Sequence, residues 1–528
     1  MDERELCDLE CLTNGSFAPL TSYMTRSQYD SCVETMFLSE TEVFPMPIVC
    51  MSKDPVPEGT LVTLRNLTGT IFSTLLVEEC WKPDLEKEWQ NVFGTTDSNH
   101  PYIQYMKTKL NNDGELYYLS GNLTTQQTSF HNNFAAYRNS PAVLRAQGPW
   151  IGFQTRNPLH RSHIELIRRS VLSLGLDGLK ILLHPVEGVT QECDIPFPVR
   201  MKCYKQVLTY MGNVTLSILP LSMRMAGPRE AVWHAVIRRN YGCSHFIVGR
   251  DHAGPSYKTK EGNAFYDPLA AQQLAKSLET QIGITIVTSE EVVYCEEIRN
   301  YVPVSESQGY TVKQISGTKF RSMLETGESI PEWFSEPEVV KSLKEYYNKP
   351  KGVCVYFIGL SGSGKTTLAM ALKGLLEEEY PNKELTLLDA DEIRTHLSKG
   401  LGFSREDRSM NVRRIGFVAS EIVKHGGIVL VANIAPYEED RQYNRRLITQ
   451  TGGEYLELYV DTPLGVCEAR DVKGLYKAAR AGTIPTFTGI SDPFEFPTEA
   501  IVIPYGSLAQ STQMVKEIVF GTVRNNVS

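Results

Sequence analysis

The sequence predicts an α/β chain of several domains, and three observations carry that reading. From Trp150 onward, short apolar runs alternate with amphipathic helical patterns, the rhythm of a parallel sheet with helices packed on it. Two of those runs lead into polar loops that open a helix, Gln154–His163 and Gly359–Thr366. Before about residue 145 that rhythm is absent, and short strands and turns prevail. At about 150 residues per domain, 528 residues accommodate three or four domains. The expected boundaries are 1–145 for a β-rich domain, 146–290 for a first α/β domain, 291–348 for a small α/β region and 349–528 for a second α/β domain.

In the first 145 residues, Pro45 and Pro47 make Val43–Val49 an edge strand or an extended segment. Leu61–Leu64 and Gly69–Val77 read as a hairpin. No residue there is catalytic by type alone. In the next domain Trp150–Phe153 is a buried strand end, and the segment after it reads Gln-Thr-Arg-Asn-Pro-Leu-His-Arg-Ser-His. Asn157 suits an N-cap and Pro158 a first helical position, with Ile164, Ile167, Val171 and Leu174 on one face behind them. His160 and His163, three apart, then share a face in the first turn beside Arg156 and Arg161. Free backbone N–H groups and the positive end of the helix dipole make this a place for a polyanion, which neutral-to-cationic imidazoles can steady. A zinc reading of the HxxH pair lacks a third ligand at suitable spacing.

Further strands are expected at Leu179–Leu183, Val214–Leu219, His245–Val248 and Ile284–Val287, and a helix at Arg229–Asn240. His245–Val248 runs into Gly249-Arg-Asp-His-Ala-Gly-Pro255, so both polar clusters fall at carboxyl strand ends, where parallel sheets bind ligands. Glycine lets the backbone approach phosphate closely, and Arg250 can fork onto it. The small region closes with a helix at Glu338–Tyr347, and residues 348–352 read as a boundary.

Val353–Ile358 is a strand, and Gly359-Leu-Ser-Gly-Ser-Gly-Lys-Thr366 after it matches the full P-loop pattern, followed by a helix through Leu368, Leu372, Leu375 and Leu376. Backbone N–H groups should cradle the phosphates, Lys365 should reach the β and γ oxygens, and Thr366 should ligate Mg²⁺. Leu385–Leu388 delivers Asp389 and Asp391 to a strand end, one suited to the metal and the other to activating a hydroxyl. Arg394, Arg405, Arg408, Arg413 and Arg414 form a dense cationic set that suits an anionic acceptor. Gly427–Ile434 and Tyr455–Val460 are further strands, Lys473–Arg480 is a basic helix, and Phe487 sits in a loop suited to stacking on a base.

Composition bounds the rest. Apolar residues make up 41% and charged residues 22%, ordinary for a soluble globular chain. The net charge of −9, with both signs dispersed, argues against nonspecific nucleic-acid binding. No apolar run approaches the ~20 residues of a membrane span. Residues 1–5, Met-Asp-Glu-Arg-Glu, lack the apolar core of a secretory signal. Eleven scattered cysteines without a CxxC predict free thiols in a reducing compartment, and Cys7 with Cys11 alone makes no metal site. The expected location is cytoplasmic, with neither nucleic acid nor membrane as partner.

The motifs resemble a known pair of families. Asn14–Leu20, Gln154–His163, Leu221–Arg229 and Gly249–Pro255, supported by Ile315–Thr318 and Ile330–Ser335, make the first 348 residues resemble ATP sulfurylase. The P-loop, Leu401–Ser404, Asp407-Arg408, Asn411–Arg414, Lys473–Tyr476 and Phe487–Gly489 make the remainder resemble adenylylsulfate kinase. The resemblance implies a PUA-like N-terminal domain, a Rossmann-like nucleotidyltransferase domain, the small α/β region and a P-loop kinase domain. It implies ATP, sulfate, adenylylsulfate and PAPS (the 3′-phosphorylated product) as ligands, Mg²⁺ with the ATP, and a homo-oligomer. Thr155, Arg156, Asn157, His160, His163 and Arg250 would serve the first reaction, and Lys365, Asp389 and Asp391 the second. Sulfate would sit near Gln154, Arg156 and Ala253. ATP would contact Gln154, Arg156, Asn157, Gly249, Arg250, Asp251, His252, Ala253 and Val292. In the kinase, ATP would lie on Gly359, Ser361, Gly362, Ser363, Gly364, Lys365, Thr366 and Thr367, with Mg²⁺ on Thr366 and Asp389. Adenylylsulfate would be held by Asp391, Arg394, Phe403, Arg408 and Asn411, together with Ile434, Ala435, Lys473, Phe487 and Thr488.

Some positions depart from the family patterns. Asp389-Ala-Asp391 stands for Asp-Gly-Asp, and Ala435 stands where many kinases carry a serine, which excludes a phosphoserine there. Gly254-Pro-Ser-Tyr257 stands for Gly-Pro-Gly, and Ala264–Pro268 departs from Asp-Phe-Tyr-Gly-Pro. The expected function is adenylylsulfate synthesis followed by its 3′-phosphorylation. The alternative is a C-terminal domain that binds the phosphorylated product without kinase activity; the intact Lys365, Thr366 and acid pair argue against it.

Overall fold

The computed structural model describes residues 1–66, 69–125, 131, 133–175, 179–191, 194–348, 351–380 and 385–527, with backbone alone for 525–527. It contains two compact units, Met1–Tyr347 and Asn348–Ser528. No helix among the described residues is long and apolar enough to cross a membrane.

The first unit begins with two capped helices. Asp2 caps Glu3–Thr13 and Thr25 caps Arg26–Thr35, each through a capping box that satisfies two orphan N–H groups. The expected hairpin is present: Leu61–Arg65 pairs antiparallel with Ile71–Trp81. Cys50–Ser52 and Tyr117–Thr125 complete a four-stranded sheet. The Val43–Val49 segment is extended, and its one bridge joins Val43 to Phe37. Its prolines lack the N–H groups a ladder needs, while Val43, Phe44, Met46 and Ile48 are buried. The region carries more helix than the sequence pattern predicts, because Leu85–Phe93 and Pro101–Lys109 also form there.

Next comes a five-stranded, all-parallel sheet. Its spatial order is Val214–Leu216, Lys180–Leu183, Trp150–Phe153, Cys243–Val248, Thr285–Thr288. One apolar core runs from Leu9 and Phe17 through Trp233 and Phe246 to Ile286, so the N-terminal region and this sheet share a single interior. The small region adds a three-stranded antiparallel sheet, ordered Asn300–Pro303, Val292–Cys295, Val312–Lys313, and the helices Gly317–Thr326 and Pro337–Tyr347.

The second unit holds its own parallel sheet. The order is Leu385–Asp389, Ile428–Ala432, Val353–Ile358, Glu454–Asp461, Ile501–Pro504. Val353–Ile358 is buried at every position, as a central parallel strand covered on both faces must be.

Candidate active sites

In the first unit the chain leaves Trp150–Phe153 toward one edge of the sheet and Cys243–Val248 toward the other. These strands are neighbours, so their carboxyl ends flank a topological switch point, and Gln154–His163 and Gly249–Pro255 both start there.

The helix after the first strand starts later than its sequence predicts. It spans Arg161–Ser173 with His160, not Asn157, at the N-cap. The Thr155 hydroxyl donates to the Asn157 carbonyl at 2.8 Å and accepts the Asn157 N–H at 3.1 Å, and Tyr204 donates to the same carbonyl. A local turn therefore uses the groups that a cap at Asn157 would need. The shift puts His160 and His163 at the helix mouth itself. The His160 backbone N–H donates to His163 Nδ1 at 3.1 Å. In a neutral His163 the hydrogen is then on Nε2, which makes that atom a donor. Burial pushes His160 down to about 3, with His163 adding to the effect, and burial pushes His163 down to about 4. Both imidazoles are thus neutral, and full positive charge comes from the arginines. His160 packs against Phe320 and Phe334, with Nδ1 2.9 Å from Ser335 Oγ.

The cations of this site are paired. Arg156 Nη1 donates to both Asp194 oxygens, at 2.5 and 2.6 Å, and Arg250 pairs with Glu291 at 2.8 Å. Gln154 Oε1 is buried without a hydrogen-bond partner. Arg156, Asp251 and His252 line one cavity of about 320 Å³ with Gly254, Tyr266 and Asp267. Asp251 and Ala253 adopt left-handed φ angles of 50° and 57°, and the Ala253 carbonyl accepts the Gly227 N–H at 3.1 Å. Gly227 is required where it stands, because a Cβ there would lie 2.5 Å from the Tyr266 ring. Ala253 is buried, and Val292 lies at the start of a strand in the small antiparallel sheet.

In the second unit the P-loop follows its strand as expected. Gly359, Gly362 and Gly364 have φ of 143°, 73° and 103°, angles that only glycine takes without strain. Three carbonyls of the loop are held from outside: Ser361 by the Tyr476 hydroxyl, Gly362 by Arg470 and Ser363 by the Thr462 hydroxyl. These contacts fix the peptide planes of the loop and so the direction of its N–H groups. Lys365 donates to the Leu360 carbonyl at 2.8 Å. Thr366 Oγ1 donates to Asp389 Oδ2 at 2.6 Å, while Asp389 Oδ1 accepts the Asp391 N–H at 2.9 Å. Asp391 pairs with Lys473 instead. The two acids are thus separated by their partners, one toward the P-loop threonine and the other toward the basic helix.

A cavity of about 1120 Å³ is lined by P-loop residues Ser361–Thr367, by Asp389 and Asp391, and by Arg394, Phe403, Arg408, Asn411, Ile434, Lys473, Phe487 and Thr488. Arg394 lies over the Phe403 ring at 4.5 Å, and Arg408 reaches Thr488 and Asp492 at 2.8 and 2.7 Å. Phe487 meets Tyr476 edge-on at 5.0 Å. Three expectations need correction. Ala435 does not line the cavity: its methyl is buried in the core, and its carbonyl accepts from Arg441. Of the five-arginine set, only Arg394 and Arg408 reach the cavity. Arg413 is engaged by Glu439 and Asp440, Arg405 by the Tyr437 ring, and Arg414 by the Leu397 carbonyl. The predicted basic helix begins at Leu475, leaving Lys473 in the preceding turn.

Asp194, Glu291, Thr462, Arg470 and Asp492 escape the sequence reading. Asp492 lies 84 residues from Arg408, and no periodicity links them. Away from both cavities, Glu3, Cys7 and His131 bring ligand atoms within 4.8 Å of one another. His131 there bridges Glu10 and Glu3 at 2.6 and 2.9 Å. Burial opposes its charge, and the two carboxylates outweigh burial and push it up to about 10, so an imidazolium already supplies the cation.

Comparison with known proteins follows the same division. Residues 1–128 match the PUA-like domain model, 136–346 the ATP-sulfurylase model and 351–503 the adenylylsulphate kinase model. A sulfate adenylyltransferase of Emericella nidulans is 41% identical over 538 residues, covering 98% of this chain and 92% of the relative. The chain belongs to the sulfate adenylyltransferase family. Another such transferase, from Aspergillus terreus, is 40% identical over 537 residues, covering 98% and 92%. The structure described as a hexameric APS kinase from Thiobacillus denitrificans aligns with a TM-score of 0.72 at 28% identity, covering 99% of this chain and 92% of that one. This sulfate adenylyltransferase-family chain therefore combines a nucleotidyltransferase domain and a kinase domain in one polypeptide.

Proposed function

We propose that the chain performs two consecutive steps of sulfate activation. In the first, a sulfate oxygen attacks the α-phosphorus of ATP, the α–β bridging bond breaks, and adenylylsulfate and pyrophosphate form. In the second, the 3′-hydroxyl oxygen of adenylylsulfate attacks the γ-phosphorus of another ATP, giving PAPS and ADP.

The observation that carries this reading is the second cavity. P-loop residues Ser361–Thr367, the acid pair and, apart from Ala435, the residues matched to adenylylsulfate binding line the same space, so donor and acceptor would share one pocket. In the first unit sulfate is a poor nucleophile, so alignment and charge neutralisation must do the catalysis. Arg156 supplies charge for sulfate, and His163 Nε2–H and Arg250 are donors for phosphate oxygens. In the second, Thr366 and Asp389 present two hard oxygens 2.6 Å apart, a donor set that fits Mg²⁺. Thr366 and Asp389 would hold the ion, whose charge would offset that of the phosphate oxygens. Asp391, whose carboxylate pairs with Lys473, would take the 3′-hydroxyl proton. A homo-oligomer is proposed by likeness to the hexameric relative.

The test is incubation of the pure chain with ³⁵S-sulfate, ATP, Mg²⁺ and pyrophosphatase, resolving both nucleotides. Label in adenylylsulfate and PAPS is expected. Label in adenylylsulfate alone removes the second step, and no labelled nucleotide removes both.

Burial pushes the Lys365 ammonium down to about 8, against the pull of Cys467 and Asp389. Below that pH the lysine already carries the charge a triphosphate needs. Above it, binding must take up a proton, so affinity should fall by about tenfold per pH unit from pH 8 upward. Calorimetric titration of the second site with an ATP analogue between pH 7 and 9.5 checks this, and a flat profile contradicts it.

A further inference from the structure

The loop 94–100 of the PUA-like region meets the wall of the first unit's cavity from behind. Asp97 Oδ2 accepts the Lys260 N–H at 2.8 Å, and Asn99 Nδ2 donates to the Lys258 carbonyl at 3.4 Å. His100, at the N-cap of Pro101–Lys109, is fully buried. Its ring packs against Phe93 at 4.9 Å and meets Phe265 edge-on at 5.2 Å. Its Nε2 lies 3.0 Å from the Met225 carbonyl oxygen and 3.4 Å from the Tyr266 hydroxyl. Gly227, Lys258, Phe265 and Tyr266 line the cavity of about 320 Å³ together with Arg156 and His252.

The direction of the His100 bond follows from its partner. A carbonyl oxygen only accepts, so Nε2 carries the hydrogen. Burial pushes the ring down to about 4, so it is neutral and holds that hydrogen alone. Nδ1, buried without a hydrogen-bond partner, is bare. The bond falls where the backbone needs it. Met225 has a left-handed φ of 61°, which is costly for any residue that carries a Cβ. The Glu230 carboxylate accepts the N–H groups of Arg224 and Ala226 on either side, at 2.9 and 2.8 Å, and His100 takes the carbonyl between them. The chain thus enters Gly227 in one conformation. There the Gly227 N–H donates to the Ala253 carbonyl, and the Tyr266 ring stands too close for a Cβ. One nitrogen of His100 therefore touches both partners of that close packing, through Met225 and through Tyr266.

We propose that His100 and Asp97 are positioning residues for ATP in the first site. Through them the N-terminal region holds the loop 254–267 against the segment 225–227 and so sets the width of the cavity. The inference rests on the adenylyl-transfer reading of this cavity and deepens it. His100 acts through the Met225 carbonyl and the Tyr266 side chain, and Asp97 acts through the Lys260 peptide. Neither touches the nucleotide. The PUA-like region thereby serves the first reaction as the back of its nucleotide pocket.

The first test is amide hydrogen exchange of the full chain, which needs no activity. Peptides covering 254–267 should exchange about tenfold faster in Asp97→Ala and in His100→Phe than in the wild type. Unchanged exchange there in either variant overturns the role of that residue. Asp97 is only half-buried, so its removal leaves the core intact even where a change at His100 does not. The second test is the KM for ATP in sulfate-dependent pyrophosphate release. His100→Phe, which keeps a ring and loses the donor, should raise KM about tenfold and change kcat less than about threefold. Asp97→Ala should raise KM about threefold with the same split. His100→Gln, whose Nε2–H stands in for the ring donor, and Asp97→Asn, which keeps an acceptor oxygen, should each recover most of the loss. A wild-type KM in the first two variants, a loss confined to kcat, or equal damage from the conservative pair overturns the proposal. Absence of sulfate-dependent pyrophosphate release in the wild type would defeat the adenylyl-transfer reading, while exchange would still report whether His100 and Asp97 hold the loop.

Discussion

Lys365→Ala should abolish phosphoryl transfer to adenylylsulfate and leave sulfate-dependent pyrophosphate release near the wild-type rate. The lysine is buried at the start of its helix, with an ammonium that already touches the P-loop through the Leu360 carbonyl. In phosphoryl transfer the protein contributes mainly position and charge, so removal of the one ammonium aimed at the migrating group leaves nothing nearby to replace it. Arg470 is occupied with the Gly362 carbonyl and Lys473 with Asp391. The two compact units have separate sheets and separate cavities, and this is why adenylyl transfer should survive. Measuring both activities on one preparation decides the matter, because joint loss would show that the units do not work independently.

His163→Ala should lower adenylyl transfer by roughly 10²–10³, the usual cost of losing one preorganised donor at a developing charge. The effect should fall on kcat more than on KM, since the ring is neutral and adds little to ground-state attraction for ATP. His163→Gln, which can restore an N–H, should regain part of the rate. A wild-type rate in the alanine variant would remove this histidine from the mechanism.

These predictions show how far the residues could be read in advance. The parallel sheets were legible because apolar runs such as Val353–Ile358 have no other stable use, and the P-loop because its glycines serve a single backbone shape. The start of the HxxH helix was misplaced because Asn157 and Pro158 make a good local cap. The tertiary bond from Tyr204, 47 residues away, helps hold that carbonyl in a turn. Arg413 read as an acceptor ligand because local spacing reveals charge and not its partner; Glu439 and Asp440 are 26 and 27 residues distant.

The Arg156–Asp194 pair has a consequence for selectivity. On the role proposed for Arg156, an incoming oxyanion would meet a cation that already has a covalently tethered rival, present at a high effective concentration. Chloride, or any singly charged visitor, gains little by displacing it, because the exchange trades one monovalent partner for another. Only a dianion that also finds other contacts in the pocket recovers the loss. On that role the resting acid would work as a threshold against the background electrolyte, and occupancy would follow the whole set of contacts a guest makes, not its charge alone.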